Sequence, residues 1–241
     1  MPRFYCAHAL QPGTHISLPE PIAHHLHVLR MTPGQRITLF DGQGREFDAQ
    51  LTALDKRNAT AEVMDQIESN TELPYRLILA QALPEGSKMD WIIEKAVELG
   101  ASAIQPLAAQ RSVVRLSPER AAKKRQHWQG IIIAASEQSG RTRLAELTEV
   151  TDPASWSRQP SSAQRLLLSP RASHSLAAWA ARQTPQDVAL AIGPEGGFNE
   201  QEEQMLISQG AIPVSMGPRV LRTETAGLAA LSIVNAAWGQ M

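Results

Sequence analysis

The chain has 241 residues, 43% of them hydrophobic and 20% charged, a composition that supports a buried core and excludes disordered and fibrous classes. Lys and Arg total 23 against 24 Asp and Glu, for a net charge of −1, so the whole molecule is not the basic domain that naked nucleic acid attracts. The single cysteine, Cys6, excludes an internal disulfide and a Cys-based zinc site and fits a reducing compartment, the cytoplasm by default.

Residues 1–10 carry Arg3 and His8 and no continuous apolar stretch, so they read as mature protein rather than a signal peptide. Residues 21–30 predict a short helix with Ile22, Leu26 and Leu29 on one face. His24, His25 and His27 share that segment, but their spacing matches no metal motif, and a surface or packing role is expected. Runs at 36–40 (RITLF), 45–51 and 59–64 surround an Asp41-Gly42 turn, the pattern of hairpins in a small β-rich domain.

From Leu73 the texture changes. A strand over 75–83 precedes a helix over 86–100, whose Met89, Ile92, Ile93, Ala96 and Val97 form one apolar stripe that Gly100 terminates. A helix is expected over 118–138, and short strands over 165–169, 187–193 and 211–216. Such alternation predicts an α/β domain with a mostly parallel sheet covered on both faces. The expected division is a first domain over 1–72 and a second over 73–241, with the boundary near 70–74. The longest apolar runs, 131–135 and 188–192, fall far short of the roughly 20 residues of a membrane helix.

In open α/β sheets, ligands sit beyond the carboxyl ends of the strands. Three strand exits stand out: Leu167-Leu168-Ser169-Pro170-Arg171, Ile192-Gly193-Pro194-Glu195-Gly196-Gly197-Phe198, and Met216-Gly217-Pro218-Arg219-Val220-Leu221-Arg222-Thr223-Glu224-Thr225. The glycine loop lets backbone approach a ligand, yet it is neither a GxGxxG fingerprint nor a Walker loop. Glu195 within it disfavours a phosphate and favours a cationic or neutral ligand. Asn199 and Glu202 predict a capped helix start after this loop. Arg219, Arg222 and Glu224 crowd charge into a connection with no evident structural need for it. The last helix, 223–238, is apolar nearly all round; it must be covered nearly all round, by its own chain or by a second subunit, and Trp91 and Trp128 could serve either core.

No HExxH, EF-hand or GxSxG signature occurs, so metal and covalent catalysis are not supported. Between Arg111 and Arg125 stand six basic residues, Arg111, Arg115, Arg120, Lys123, Lys124 and Arg125, against Glu119 alone, with Arg141 and Arg143 close behind. By itself such a run reads as a solvated helix face.

At the three exits the sequence resembles the knotted (SPOUT) methyltransferases and, more narrowly, the ribosomal small subunit methyltransferase E family. The motifs that carry the resemblance run in order along the chain: His27 to Arg30, Phe40-Asp41-Gly42-Gln43-Gly44, Glu94 to Gly100, Ala135 to Arg141 (ASEQSGR), IGPEGG over 192–197 and GPRVLRTET over 217–225. The resemblance implies a PUA-like β-barrel for RNA contact over 1–72 and a SPOUT domain over 73–241, with a trefoil knot within about 165–241 that periodicity could not reveal. It also implies a homodimer, S-adenosylmethionine as cofactor, and methylation of N3 of a uridine in 16S ribosomal RNA of the small ribosomal subunit. The cofactor residues it implies are Leu168, Ser169, Gly193, Glu195, Gly196, Met216, Val220, Leu221 and Thr225. Arg222, Arg219 and Glu224 are the implied catalytic set, and Arg30, Arg111, Arg115, Lys123, Lys124, Arg141 and Arg143 are the expected RNA contacts. Two rival readings stay open, a knotted methyltransferase acting on another RNA such as transfer RNA, and a non-catalytic RNA-binding adaptor.

Overall fold

The computed structural model describes residues 1–69 and 71–241; Asn70, at the start of the expected boundary, lies outside them. The chain forms two compact units, Met1–Glu72 with Ser136–Leu144, and Leu73–Ala135 with Ala145–Met241. The expected second domain is therefore interrupted, because the last turn of the long helix and the residues that follow it belong to the first unit.

The first unit is a five-stranded sheet of β1 (Arg3–Tyr5), β2 (His15–Leu18), β3 (Arg36–Phe40), β4 (Glu46–Leu54) and β5 (Ala59–Ile67), in the order β1-β3-β4-β5-β2. β1 runs parallel to β3 and the other pairs are antiparallel. Strand alternation sends Phe47, Ala49 and Leu51 of β4 and Ala59, Ala61 and Val63 of β5 inward, where they pack with Ile22, Ala23 and Leu26 of α1 (Glu20–Val28). The helix is shorter than expected: Leu29 is its C-cap and Arg30 takes a left-handed backbone, φ 55°. That reversal leaves Leu29 46% exposed rather than on the buried face. His24, His25 and His27 are all exposed, and His25 also packs edge-on against Phe4.

The Asp41-Gly42 turn does more than join β3 to β4. The Asp41 carboxylate accepts the N–H groups of Gln43 and Arg45, and the turn pairs backbone with Thr142 and Leu144. Glu72 closes the same junction, accepting from the Arg141 guanidinium and from the N–H groups of Thr142 and Arg143. These bonds bind Ser136–Leu144 to the first unit.

The second unit holds β6 (Leu77–Ala82), β7 (Ala103–Leu107), β8 (Glu146–Leu147), β9 (Gln164–Leu168), β10 (Val188–Ile192) and β11 (Ile212–Val214), in the order β11-β9-β10-β6-β7-β8 with every pair parallel. All five residues of β10 are buried, as a strand covered on both faces requires. Ala80, Ala82, Leu167, Ala189 and Ala191 share one core with Trp156 of α4 (Pro153–Arg158) and Leu206 of α6 (Glu200–Ser208). The alternate residues Leu79, Gln81 and Ile192 meet Gly227 of α7 (Thr223–Ala237) on the other face. There α7 packs against α2 (Lys88–Glu98) and α5 (Leu176–Ala180). The α2 stripe of Met89, Ile92, Ile93, Ala96 and Val97 is buried as its spacing predicts.

Within one chain α7 is covered on one side only. Thr223, Gly227, Ala230, Leu231, Val234 and Asn235 are buried, whereas Ala236 and Ala237 are exposed and Leu228, Ala229 and Ile233 are only half-buried. Trp128 of α3 (Pro118–Ser139) is buried with its indole N–H on Asp90, but Trp91 is 46% exposed. Among the described residues, no helix is long and apolar enough to cross a membrane.

Candidate functional site

Because β11, β9 and β10 are adjacent and parallel, their carboxyl ends open on one edge of the sheet, where α/β folds bind ligands. The three exits expected from the sequence meet there around a single cavity of about 550 Å³. Of the nine expected cofactor residues, eight line it: Leu168, Ser169, Gly193, Glu195, Gly196, Met216, Val220 and Leu221. Thr225 does not; it is exposed, since two residues of helix turn it about 200° from Thr223, which faces the cavity.

The glycine loop is shaped by backbone contact. A Cβ at Gly193 would stand 2.8 Å from the Phe198 nitrogen and 3.0 Å from Gly197, closer than folded chains tolerate. The Gly197 N–H closes a turn onto the Pro194 carbonyl at 2.8 Å, and Gly197 has φ 67°, a conformation that favours glycine. Behind the loop, Asn199 and Glu202 form a complete capping box at the start of α6.

Charge is distributed differently from the expectation. Glu195 is not a free carboxylate: its Oε1 accepts the Lys88 ammonium at 2.6 Å and the Glu85 N–H at 3.0 Å. Burial pushes its pKa up, but the Lys88 and Glu85 hydrogen bonds outweigh that and hold it below the usual carboxylate value. Lys88 is held above its usual value chiefly by the same hydrogen bond. A second carboxylate, Glu203, lines the cavity and pairs with Arg171 at 2.8 Å. Arg171 stands in the first exit, but Glu203 and Lys88 went unnoticed in the sequence, because only the folded chain brings them to the exits.

Arg219, Arg222 and Glu224 all line the cavity. Both arginines are exposed, and among the described residues no ion pair or side-chain hydrogen bond engages either guanidinium. Arg222 is the N-cap residue of α7 through its backbone, with no capping bond from its side chain. Glu224 Oε2 is buried without a hydrogen-bond partner. An unsatisfied buried carboxylate oxygen is costly in an isolated protein.

The expected RNA residues divide. Arg111 donates to the Gly196 carbonyl at 2.9 Å and belongs to the cavity wall. Arg115 is exposed, but its guanidinium holds the carbonyls of Ala109 and Gln110. Lys123 is exposed, and the Lys124 ammonium lies 6.0 Å over the Trp128 ring. Arg30 and Arg143, in the first unit, are exposed. Arg141 is a correction: its side chain is 4% exposed and ion-paired with Glu72 at 2.7 Å, so it serves the fold and presents no charge to a phosphate.

A family described as an RNA methyltransferase domain matches residues 71–235, and an RNA methyltransferase PUA domain matches residues 18–64. The ribosomal RNA small subunit methyltransferase E of Bacillus subtilis is 34% identical over 90% of this chain and 87% of its own length. That of Synechocystis is 34% identical over 92% of this chain and 73% of its own. Among solved structures, ribosomal RNA small subunit methyltransferase E from Neisseria gonorrhoeae, bound to S-adenosyl methionine, has a TM-score of 0.92 at 39% identity and covers 99% of this chain and 98% of its own. A putative methyltransferase from Legionella pneumophila, in complex with the same cofactor, has a TM-score of 0.92 at 38% identity, covering 98% of this chain and 97% of its own. With these identities over nearly the whole chain and the family match over residues 71–235, the chain belongs to the ribosomal RNA small subunit methyltransferase E family of RNA methyltransferases.

Proposed function

We propose that this chain uses S-adenosylmethionine to methylate N3 of a uridine in 16S ribosomal RNA, acting in the cytoplasm on the assembled small ribosomal subunit. The observation that carries the reading is one cavity, built by three strand exits, with two unengaged arginines and an unpartnered carboxylate oxygen in its wall. Its volume of about 550 Å³ lies within the range of cofactor pockets, and its glycine-lined wall suits a nucleoside that takes hydrogen bonds from backbone. Leu168, Ser169, Gly193, Glu195, Gly196, Met216, Val220 and Leu221 would hold the cofactor; bound there, it supplies an electrophilic methyl group on a sulfonium.

The protein's own work is positioning and charge. N3 of uracil must lose its proton while negative charge spreads onto O2 and O4, so a fixed cation beside the base lowers the barrier. Arg222 is assigned that role, and Arg219 orients the incoming RNA. Glu224, which lines the cavity, accepts the N3 proton as the N–CH3 bond forms and the methyl leaves sulfur. A buried cofactor also requires the target base to leave its stack.

The near-zero net charge supports recognition of a shaped particle over tight electrostatic binding to naked RNA. The half-covered side of α7 and the exposed Trp91 support a homodimer. A trefoil knot within about 165–241 is part of the same proposal, from the family resemblance.

Methylation at N3 blocks the Watson-Crick edge, so reverse transcriptase should stop at one position in 16S RNA from wild-type cells and read through in a deletion strain. Methyl transfer found in transfer RNA instead, or nowhere, would replace this reading. Arg222→Ala should lower single-turnover transfer by about a hundredfold or more; a normal rate removes the role given to Arg222.

A further inference from the structure

We infer that Gln81 and Thr223 are positioning residues of the methyl-transfer site, acting together through the carbonyl of Gly193. Gln81 is fully buried on β6, a strand whose other residues are apolar, and faces α7. Its Nε2 donates to the Ala82 carbonyl at 3.0 Å and to Thr223 Oγ1 at 2.9 Å. The Ala82 carbonyl can only accept, which sets the orientation of the amide. Thr223 Oγ1 therefore accepts from Gln81 and gives its own proton to the Gly193 carbonyl, at 2.6 Å.

This relay ties the first residue of α7 to the first residue of the glycine loop. Neither end has another way to take up the slack. Gly193 is packed against Phe198 and Gly197, and the N-cap of α7 has no side-chain capping bond. Arg222 and Glu224 flank Thr223, so the threonine hydroxyl sets where both side chains leave the backbone relative to the loop. Gly227, one turn further along α7, has no Cβ; one placed there would come within 3.3 Å of Gln81 Oε1, so the helix can lie closely over the amide. The cost is visible in Oε1, which is buried without a partner. A methionine would fill the same space with no orphaned oxygen, so the amide is poorly explained by packing alone.

The inference rests on the roles proposed for Arg222 and Glu224. Its test uses the full chain with small subunits from a strain that lacks the modification, reading single-turnover methyl transfer at saturating S-adenosylmethionine beside thermal melts. Thr223→Val, which keeps shape and removes the hydroxyl, should slow transfer about tenfold or more with a melting temperature near that of the wild type. Thr223→Ser should restore the rate to within about threefold. Gln81→Met should be as slow as Thr223→Val, and the double variant no slower than either, since both break one relay. A Thr223→Val rate equal to wild type, a serine variant as slow as the valine, additive losses, or a rate loss matched by a large fall in melting temperature would each overturn the relay. A wild-type protein that transfers no methyl group to the subunits would instead overturn the proposed activity, and the relay with it.

Discussion

Gly193 and Gly196 stand three residues apart in one loop and face opposite constraints. A Cβ at 193 meets backbone at 2.8 Å, whereas one at 196 meets only the flexible Arg111 side chain, at 3.4 Å. Overpacking against backbone costs about 1–3 kcal/mol, so Gly193→Ala should weaken S-adenosylmethionine binding by about tenfold or more in isothermal titration. Gly196→Ala should stay within about twofold of the wild type; equal losses at the two positions would contradict the role of loop shape. Arg141 teaches a different lesson at the same scale. Its ion pair with the half-buried Glu72 means that Arg141→Ala removes a charged donor while the Thr142 and Arg143 N–H groups remain, and urea unfolding should show a loss of about 1.5–3 kcal/mol. A variant as stable as the wild type but weaker for RNA would return Arg141 to the phosphate-binding set.

α3 shows how one element can serve both units. Its N-terminal part belongs to the second unit and its last turn, from Ser136, to the first. In that turn Glu137 is half-buried and accepts the Tyr5 N–H at 2.9 Å. Burial pushes its carboxyl pKa up, only partly opposed by the Tyr5 hydrogen bond and the charges of His25 and Arg3. A folded pKa above the unfolded one means that this group's stabilisation is complete below the unfolded value and is lost as pH rises through the folded value. At neutral pH the charge opposes folding. Glu137→Gln keeps an acceptor for Tyr5 and removes the charge, so it should melt a few degrees above the wild type at about pH 7, with the gain disappearing near pH 4. Melts across that range test it, and a lower neutral melting temperature in the variant would show that the carboxylate charge is needed there.

At the scale of the molecule, a net charge of −1 coexists with exposed cations at Lys123, Arg125 and Arg143. Binding to small-subunit RNA should weaken with salt, and Lys123→Gln should reduce the log–log slope by about 0.7–0.9, whereas Arg141→Ala should leave it unchanged. Filter binding between about 50 and 200 mM salt separates the two. Periodicity revealed β3, the α2 stripe and the span of α3 because each is written in local spacing, and the motif residues of the exits were readable for the same reason. β1 and β2 are three and four residues long, and β7 carries Gln105 and Pro106; such strands acquire their identity from partners distant in the chain, so no local pattern announces them. The same physics divides the site. Glycine, arginine and carboxylate at the strand ends are legible in local motifs, but only the folded chain lets Lys88 neutralise Glu195, brings Arg171 and Glu203 into the wall and buries Arg141. Ion pairing and burial depend on distances between segments far apart along the chain, and those distances exist only once the sheet has formed.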